Sequence, residues 1–296
     1  MIQNAPPDIV LPTRLKEFYA MHPRLSLLAL PLALAACNGG GAKVDHADDL
    51  ANAQATPPFN SAAPAPTPTP AASAKPILLS QEDESIDFDY AIAAQAAAIP
   101  ALRDQLLQRA QADKSVMLKD QAEYAREMKH NGFPVHPYGL STKWKVAANT
   151  DRLLVLVAEG YRYTGGAHGS DFYEPLIWDR QTSGRVAFGD LFTDKDKALA
   201  TIRKPFCDTL DRMRLKRRGG PMGEPGDYFN RCPDFGDAIT LAPTKTVGGK
   251  FARIGVWIPA DVAGSHAEGS YEYDLVIPKA MAELVKPEYR ASFPGT

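Results

Sequence analysis

A glycine-rich segment between two strand-like runs sets the strongest limit on how this chain can fold. Leu153 to Val157 is the most strand-like run in the sequence, and Phe172 to Trp178 is a second candidate. The segment between them, Tyr161 to Ser170, reads Tyr-Arg-Tyr-Thr-Gly-Gly-Ala-His-Gly-Ser. Gly165 and Gly166 can take the positive φ angles that other residues avoid. The segment is therefore predicted to be a turn that joins two central strands.

The rest of the chain from Ser85 onward alternates between strand-like and helix-like patterns. Further strands are predicted at Ser85–Ile92, Leu140–Ala148, Arg152–Glu159, Arg185–Phe188, Ala252–Ile258 and Tyr271–Ile277. Helical spacing predicts one helix, or two that break near Asp113, between Pro100 and Gly132. Another helix carries the stripe from Leu199 to Met213, and Pro205 either bends it or marks its start. A short helix closes the chain at Pro278–Val285.

Short links between strands favour antiparallel pairing. The sequence therefore predicts an α+β fold, a mainly antiparallel sheet with helices packed on one face. The formal net charge of −2 and the hydrophobic content of 45% describe neither a nucleic-acid binder nor an integral membrane protein. No cofactor is expected.

The N-terminal region carries the pattern of an exported lipoprotein. An apolar run, Leu25 to Ala36, has the length of a signal-peptide core and is too short to span a bilayer. It ends in Leu-Ala-Ala-Cys at position 37, which matches the bacterial lipoprotein signal called the lipobox. This resemblance implies cleavage before Cys37 and lipid attachment to its sulfur, whereas the alternative is an ordinary secretory signal with a chance cysteine. Met21 begins the better signal, so residues 1–20 are read as an upstream extension.

The lipobox implies a domain order and a location. Residues 1–36 form the extension and signal peptide, and residues 37–75 form a lipidated, Pro/Ala-rich tether with little to bury. The folded domain is expected over 76–296, with an upstream half at 76–170 and a downstream half at 171–296. Asn38 after the cysteine resembles lipoproteins sent to an outer membrane, so the expected location is that membrane, facing the periplasm of a two-membrane cell.

Two cysteines remain in the folded domain. Cys207 and Cys232 are an even pair in a chain routed to an oxidising compartment, so a disulfide between them is predicted. A metal pair or a redox-active site is disfavoured because the sequence has no Cys-x-x-Cys motif. No metal site is predicted from the histidines either, because none shows His-x-x-x-His spacing.

Three segments resemble a family of exported bacterial domains. The first is Tyr161–Gly169, which matches the family hallmark of an aromatic strand ending in Tyr-Thr-Gly-Gly-Ala-His. The second is Gly184 followed by Asp190-Leu191-Phe192, and the third is Ala267–Tyr273 followed by Val276-Ile277-Pro278. The family includes the extracytoplasmic part of the anti-sigma factor RsiV and the non-catalytic region of the peptidoglycan deacetylase PdaC.

The resemblance extends over roughly Ile86 to Tyr289, and it implies one α+β module. His266 departs from the family, which commonly has Tyr there, and the insertion from Cys207 to Cys232 is a second departure. In RsiV such a module binds lysozyme, and in PdaC it accompanies a separate enzyme domain. This sequence contains neither a sigma-binding segment with a transmembrane helix nor a deacetylase domain, so neither activity transfers directly.

The function expected from the resemblance is binding, with lysozyme-like proteins or peptidoglycan fragments as ligands and the lipid anchor as the contact with the membrane. The candidate binding residues are Tyr161, Tyr163, Gly165, Gly166, His168 and Tyr173, with Phe172 and Trp178 as further aromatic anchors. The alternative is a cell-wall polymer hydrolase or deacetylase that uses His168 with Asp171. His168 is interpreted first as a structural residue that hydrogen-bonds to the backbone of the turn, and no catalytic residue is assigned. Asp171 and Glu174 are expected to be a solvent-facing pair.

Overall fold

The computed structural model describes residues 74–220, 223–224, 227–236 and 238–295, which fold as an α+β domain, as predicted. The predicted signal peptide, Cys37 and the tether up to position 73 lie outside these residues. The strands are β1 Ile77–Glu82, β2 Ile86–Ile92, β3 Tyr138–Asn149, β4 Leu153–Tyr163, β5 Ser170–Asp179, β6 Gly184–Val186, β7 Thr240–Val247, β8 Lys250–Ile258 and β9 Tyr271–Val276. The α-helices are α1 Ala94–Ala97, α2 Pro100–His130, α3 Lys195–Arg218 and α4 Lys279–Glu283.

The larger sheet has six strands in the order of the chain, β1 to β6. Every neighbouring pair is antiparallel except β2 and β3, which run parallel in register from Ile86 opposite Tyr138 to Ile92 opposite Trp144. The parallel pair follows from the 31 residues of α2, because a parallel connection needs a crossover that carries the chain back to its starting edge. The sheet continues through β5 and β6, so its strands come from both sides of position 171.

Helix α2 covers one face of this sheet. Pro100 occupies its first turn, where a missing N–H costs nothing, and the apolar residues Leu102, Leu106, Ala110 and Met117 are buried against the strands. The helix is continuous through Asp113, so the predicted break is absent. Asp113 instead pairs with Arg109 one turn earlier, at 3.4 Å. The helix ends before Gly132, whose φ is +73°.

The opposite face of β3 to β5 is covered by α3 and by a three-stranded antiparallel sheet in the order β7-β8-β9. Helix α3 begins at Lys195, because the carboxylate of Asp194 accepts a hydrogen bond from the Lys197 N–H at 3.0 Å. The prediction that Pro205 marks the start is therefore wrong, since it lies inside the helix. The buried stripe continues on both sides of it, with Ile202 and Phe206 fully buried.

The predicted disulfide between Cys207 and Cys232 is present, with the two Cα atoms 5.5 Å apart. It joins α3 to the irregular segment before β7. In the part of the chain that the structure describes, none of the helices combines the length and apolar character needed to cross a membrane.

Candidate functional site

The tyrosine–glycine turn, residues 161–170, is held by contacts that the glycines permit. Gly165 has a φ of +82° and lies against the ring of Tyr124 from α2. The expectation that Gly166 also takes a positive φ is wrong, because one left-handed residue is sufficient to reverse the chain here. Gly169 donates its N–H to the hydroxyl of Tyr161 at 2.9 Å. A Cβ on Gly169 would lie 2.4 Å from that tyrosine ring, so only glycine fits.

His168 contacts backbone and a second histidine. Its Nδ1 lies 3.1 Å from the carbonyl oxygen of Gly169, so Nδ1–H donates to the turn. Its ring stacks on His266, with centroids 3.6 Å apart and planes 23° from parallel. His266 in turn contacts the carboxylate of Asp261 through Nδ1 at 3.0 Å. His266, one of the two departures from the family pattern, thus stacks on His168.

Asp171 and Tyr173 connect β5 to the region around β9. Asp171 accepts a hydrogen bond from the Ser270 hydroxyl at 2.8 Å, and Tyr173 donates its hydroxyl to Glu272 at 2.8 Å. Burial raises the pKa of Tyr173, and the hydrogen bond to the carboxylate raises it further, so this phenol stays protonated. Asp171 contacts Ser270 and not His168 among the hydrogen bonds of the described residues. Glu174 pairs with Arg109 and Arg185 instead, so Asp171 and Glu174 have different partners and do not form the expected solvent-facing pair.

Tyr161 and Tyr163 line a concave site that we call the tyrosine cleft. The cleft has a volume of about 390 Å³ and lies on the face of the sheet that α2 leaves free. Its lining residues are Asp87, Asp89, His136, Pro137, Tyr138, Gly139, Leu140, Ser141, Tyr161 and Tyr163. Tyr161 is 44% exposed, and Asp87 and Asp89 are exposed on β2. The cleft therefore combines aromatic faces with carboxylates at its edge.

The structure separates the predicted binding residues into three groups. Tyr161 and Tyr163 share the tyrosine cleft. Gly165, Gly166 and His168 lie in the turn beyond it, and the Tyr173 hydroxyl contacts Glu272 instead. Trp178 is only 4% exposed and is a core residue, so it is excluded as an anchor.

Sequence reasoning missed that Asp87, Asp89 and His136 border the same cleft as the tyrosines. The alternation in β2 does indicate that the two aspartates leave the core. Their meeting with Tyr161 and Tyr163 depends on the strand order β2-β3-β4, which is a non-local property. No three His, Cys, Asp or Glu side chains of the described residues group as metal ligands would.

Comparison with known proteins finds a family model that matches part of this chain. A family model described as "Deacetylase PdaC" matches residues 79–171, from β1 to the start of β5, which includes the tyrosine–glycine turn. The curated proteins contain no match to this chain.

Two solved structures of DUF3298 family proteins are similar to the chain. One, from Pseudomonas aeruginosa, is 18% identical over 75% of this chain and 97% of its own, with a TM-score of 0.44. The other, from Bacteroides fragilis, is 17% identical over 73% of this chain and 94% of its own, with a TM-score of 0.41. The family model confirms the resemblance over residues 79–171, which contain the first of the three resembling segments, Tyr161–Gly169.

Proposed function

We propose that this chain is a binding module of the cell envelope that captures a cationic protein of the lysozyme type in the tyrosine cleft. The observation that supports this proposal is the combination of exposed tyrosine and unpaired acid on one concave surface. Tyrosine gives a large contact area for few rotatable bonds, and carboxylates at the edge attract a basic partner. In this proposal, the lipid on Cys37 holds the module at the outer membrane, facing the periplasm.

The charge of the cleft favours a basic partner. Among the described residues, neither Asp87 nor Asp89 forms an ion pair, and both are exposed. The connection from β1 to β2 adds Asp83 and Glu84 beside them. Unneutralised charges of one sign accelerate the encounter with an oppositely charged protein and select against a like-charged one.

The hydrolase or deacetylase alternative has less support. General base catalysis by His168 needs a partner that orients the ring, commonly a carboxylate, and a nearby nucleophile or water site. His168 is instead bonded to the carbonyl of Gly169 and stacked on His266, while Asp171 is bonded to Ser270. These contacts are those of a structural turn.

Calorimetry with the full chain tests the proposal, with egg-white lysozyme as one probe and a soluble muropeptide as the other. Lysozyme is expected to bind with a Kd in the micromolar range or tighter, about −8 kcal/mol or better. The double variant Asp87→Asn/Asp89→Asn should weaken this binding at least about tenfold, because it removes two charges at the contact. Tyr163→Ala should weaken it by a similar factor.

A matched control removes the same charge elsewhere. Asp120→Asn/Glu123→Gln changes two exposed acids on α2, so its affinity for lysozyme should stay within about twofold of the wild type. If the two double variants lose affinity equally, only net charge matters and the cleft is not the site. Binding of the muropeptide alone would assign the cleft to glycan, and binding of neither probe would reject the binding proposal.

A further inference from the structure

A second cleft lies on the other face of the same strands, between α2 and β3 to β5. We call it the arginine cleft, and its volume is about 350 Å³, within the range of small-molecule sites. Its lining residues are Arg109, Asp113, Leu140, Thr142, Trp144, Ala158, Arg162, Ser170, Asp171, Phe172 and Glu174. The two clefts share one lining residue, Leu140 on β3, and otherwise draw on alternate residues of the strands, which face opposite sides of the sheet.

The floor of the arginine cleft is a regular array from three adjacent strands. The cross-strand rows are Leu140–Arg162–Ser170, Thr142–Gly160–Phe172 and Trp144–Ala158–Glu174. The central column, from β4, contains Arg162, Gly160 and Ala158, and the last two have little or no side chain. The ring of Phe172 lies over Gly160, where a Cβ would be 2.0 Å from the ring. Gly160 therefore admits the ring of Phe172, which forms part of the cleft lining together with Ala158.

One polar group in the cleft lacks a partner. Thr142 is 3% exposed, and its hydroxyl oxygen makes no hydrogen bond in the described part of the chain. Leaving a buried hydroxyl unpaired costs stability, so such groups are uncommon in folded proteins. A site that binds a polar ligand accounts for it, because the ligand then supplies the missing hydrogen bond.

One cation in the cleft also lacks a carboxylate partner. Arg109 is shared between Asp113 and Glu174, and Glu174 is bonded to Arg185 as well. Arg162 forms no ion pair with any described residue. Its guanidinium carbon lies 5.9 Å from the centroid of the Phe172 ring. Arginine presents parallel N–H donors that match a carboxylate, so Arg162 is suited to an anionic ligand.

We propose that the arginine cleft binds a small carboxylate that also carries hydroxyl or amide groups. The carboxylate pairs with Arg162, a hydroxyl or amide group of the ligand bonds to the Thr142 oxygen, and Trp144 and Phe172 flank its apolar face. Acidic N-acetyl sugars and N-acyl amino acids share this chemistry. The proposal does not depend on the tyrosine cleft, since the two clefts lie on opposite faces of the sheet.

Three probes of related structure test the carboxylate requirement on the full chain by calorimetry. N-acetylmuramic acid and N-acetylglucosamine share the acetylated sugar ring, and only the first carries a lactyl carboxylate. N-acetyl-D-alanine carries the carboxylate and amide without the ring. N-acetylmuramic acid should bind at least about tenfold more tightly than N-acetylglucosamine, because only it can form the ion pair.

The outcomes distinguish the two sources of ligand. Binding of N-acetylmuramic acid supports an acidic sugar, and binding of N-acetyl-D-alanine alone supports an acyl amino acid. Equal affinity for the two sugars overturns the proposal, as does the absence of binding by all three probes.

Two variants test the assigned contacts. Arg162→Gln should weaken binding at least about tenfold, while Arg126→Gln, an exposed arginine elsewhere on the α2 side, should leave it unchanged. Thr142→Val removes the hydroxyl at constant shape and should weaken binding several-fold. Because the hydroxyl is unpaired without ligand, this variant should unfold at a temperature equal to or above the wild type. A lower unfolding temperature with unchanged affinity would make Thr142 structural and overturn its role.

Discussion

The two faces of the six-stranded sheet are covered in different ways. One helix, α2, covers the first face through apolar side chains such as Leu102, Leu106 and Ala110. The second face is covered by α3, a small sheet and several irregular segments. A regular helix satisfies its own backbone, whereas irregular segments need partners for their carbonyl groups. The second face therefore depends on polar contacts that the first does not need.

Arginines of α3 supply those contacts. Arg214 is fully buried and donates to the carbonyl oxygens of Ala263, Asn230 and Arg231 at 2.8–3.2 Å. One turn later, Arg217 donates to the carbonyls of Glu268 and Ser270. The basic end of α3 thus fixes loops to the domain. Substitutions that remove polar side chains should therefore lower the free energy of unfolding most on the second face.

The largest effect is expected for Arg214→Met. It removes the buried donor that the carbonyls of Ala263, Asn230 and Arg231 share, so the free energy of unfolding should fall by about 3 to 5 kcal/mol. Denaturant unfolding measures the change, and Arg212→Met is the control because Arg212 is exposed on the same helix. Equal losses in the two variants would show that the buried contacts do not stabilise the second face.

Removal of the disulfide should have the next largest effect. Cys207 and Cys232 are 25 residues apart, so loss of the crosslink should lower stability by about 3.5 kcal/mol in the chain-entropy model. The variant Cys207→Ala/Cys232→Ala should show this loss in denaturant unfolding. The stability of this variant should not change when a reductant is added, whereas the stability of the wild type should fall. Affinity for N-acetylmuramic acid should be unchanged, because the arginine cleft lies on the first face; a loss of affinity would break the separation of the faces.

Acid should weaken the second face through Glu268. Burial raises the pKa of Glu268, but hydrogen bonds from Tyr271 and Arg218 outweigh it and lower the pKa to about 2. A depressed pKa stabilises the fold above the unfolded value near 4.5, and this contribution is lost as pH falls toward 2. The contribution of Glu268 to the free energy of unfolding is up to about 3 kcal/mol.

The pH profile of a variant isolates this contribution. The stability difference between the wild type and Glu268→Gln should be largest above pH 5 and should narrow by pH 2.5, as measured by urea unfolding at each pH. Glu123→Gln, on the exposed side of α2, serves as the control and should show a small, constant difference. A constant difference for Glu268→Gln would contradict the assignment.

The smallest effect concerns the turn between the two faces. Tyr161→Phe removes the hydroxyl that accepts the Gly169 N–H, and should cost about 1 kcal/mol while keeping the ring for ligand contact. Tyr163→Phe is the control, because the Tyr163 hydroxyl makes no hydrogen bond among the described residues. The stability of this variant should therefore equal that of the wild type. If Tyr161→Phe abolishes lysozyme binding, the hydroxyl contributes to recognition as well as to the turn.

Local sequence patterns were sufficient to predict many of the strands and helices of this fold. The alternation in β2, the apolar run in β4 and the helical spacing of α2 all predict the elements observed. The disulfide follows from the even number of cysteines in the folded domain and from the expected export of the chain. These features depend on residues close in sequence or on chemistry that only one pairing satisfies.

Features that depend on residues far apart in the chain could not be predicted from the sequence. The edge strand β7 was missed because Pro243 interrupts its pattern, although proline is tolerated at a sheet edge where no N–H is needed. The stack of His168 on His266 and both clefts depend on strand order and on which segments meet across the domain. No spacing rule contains that information.

The length of α2 has a mechanical consequence. Arg109, in the roof of the arginine cleft, and Tyr124, against Gly165 of the turn, are fifteen residues apart on one unbroken helix, about 22 Å along its axis. The arginine cleft and the turn that borders the tyrosines, on the far side of the sheet, are therefore both in contact with one continuous helix. A tilt of the whole helix would move both of these contacts together.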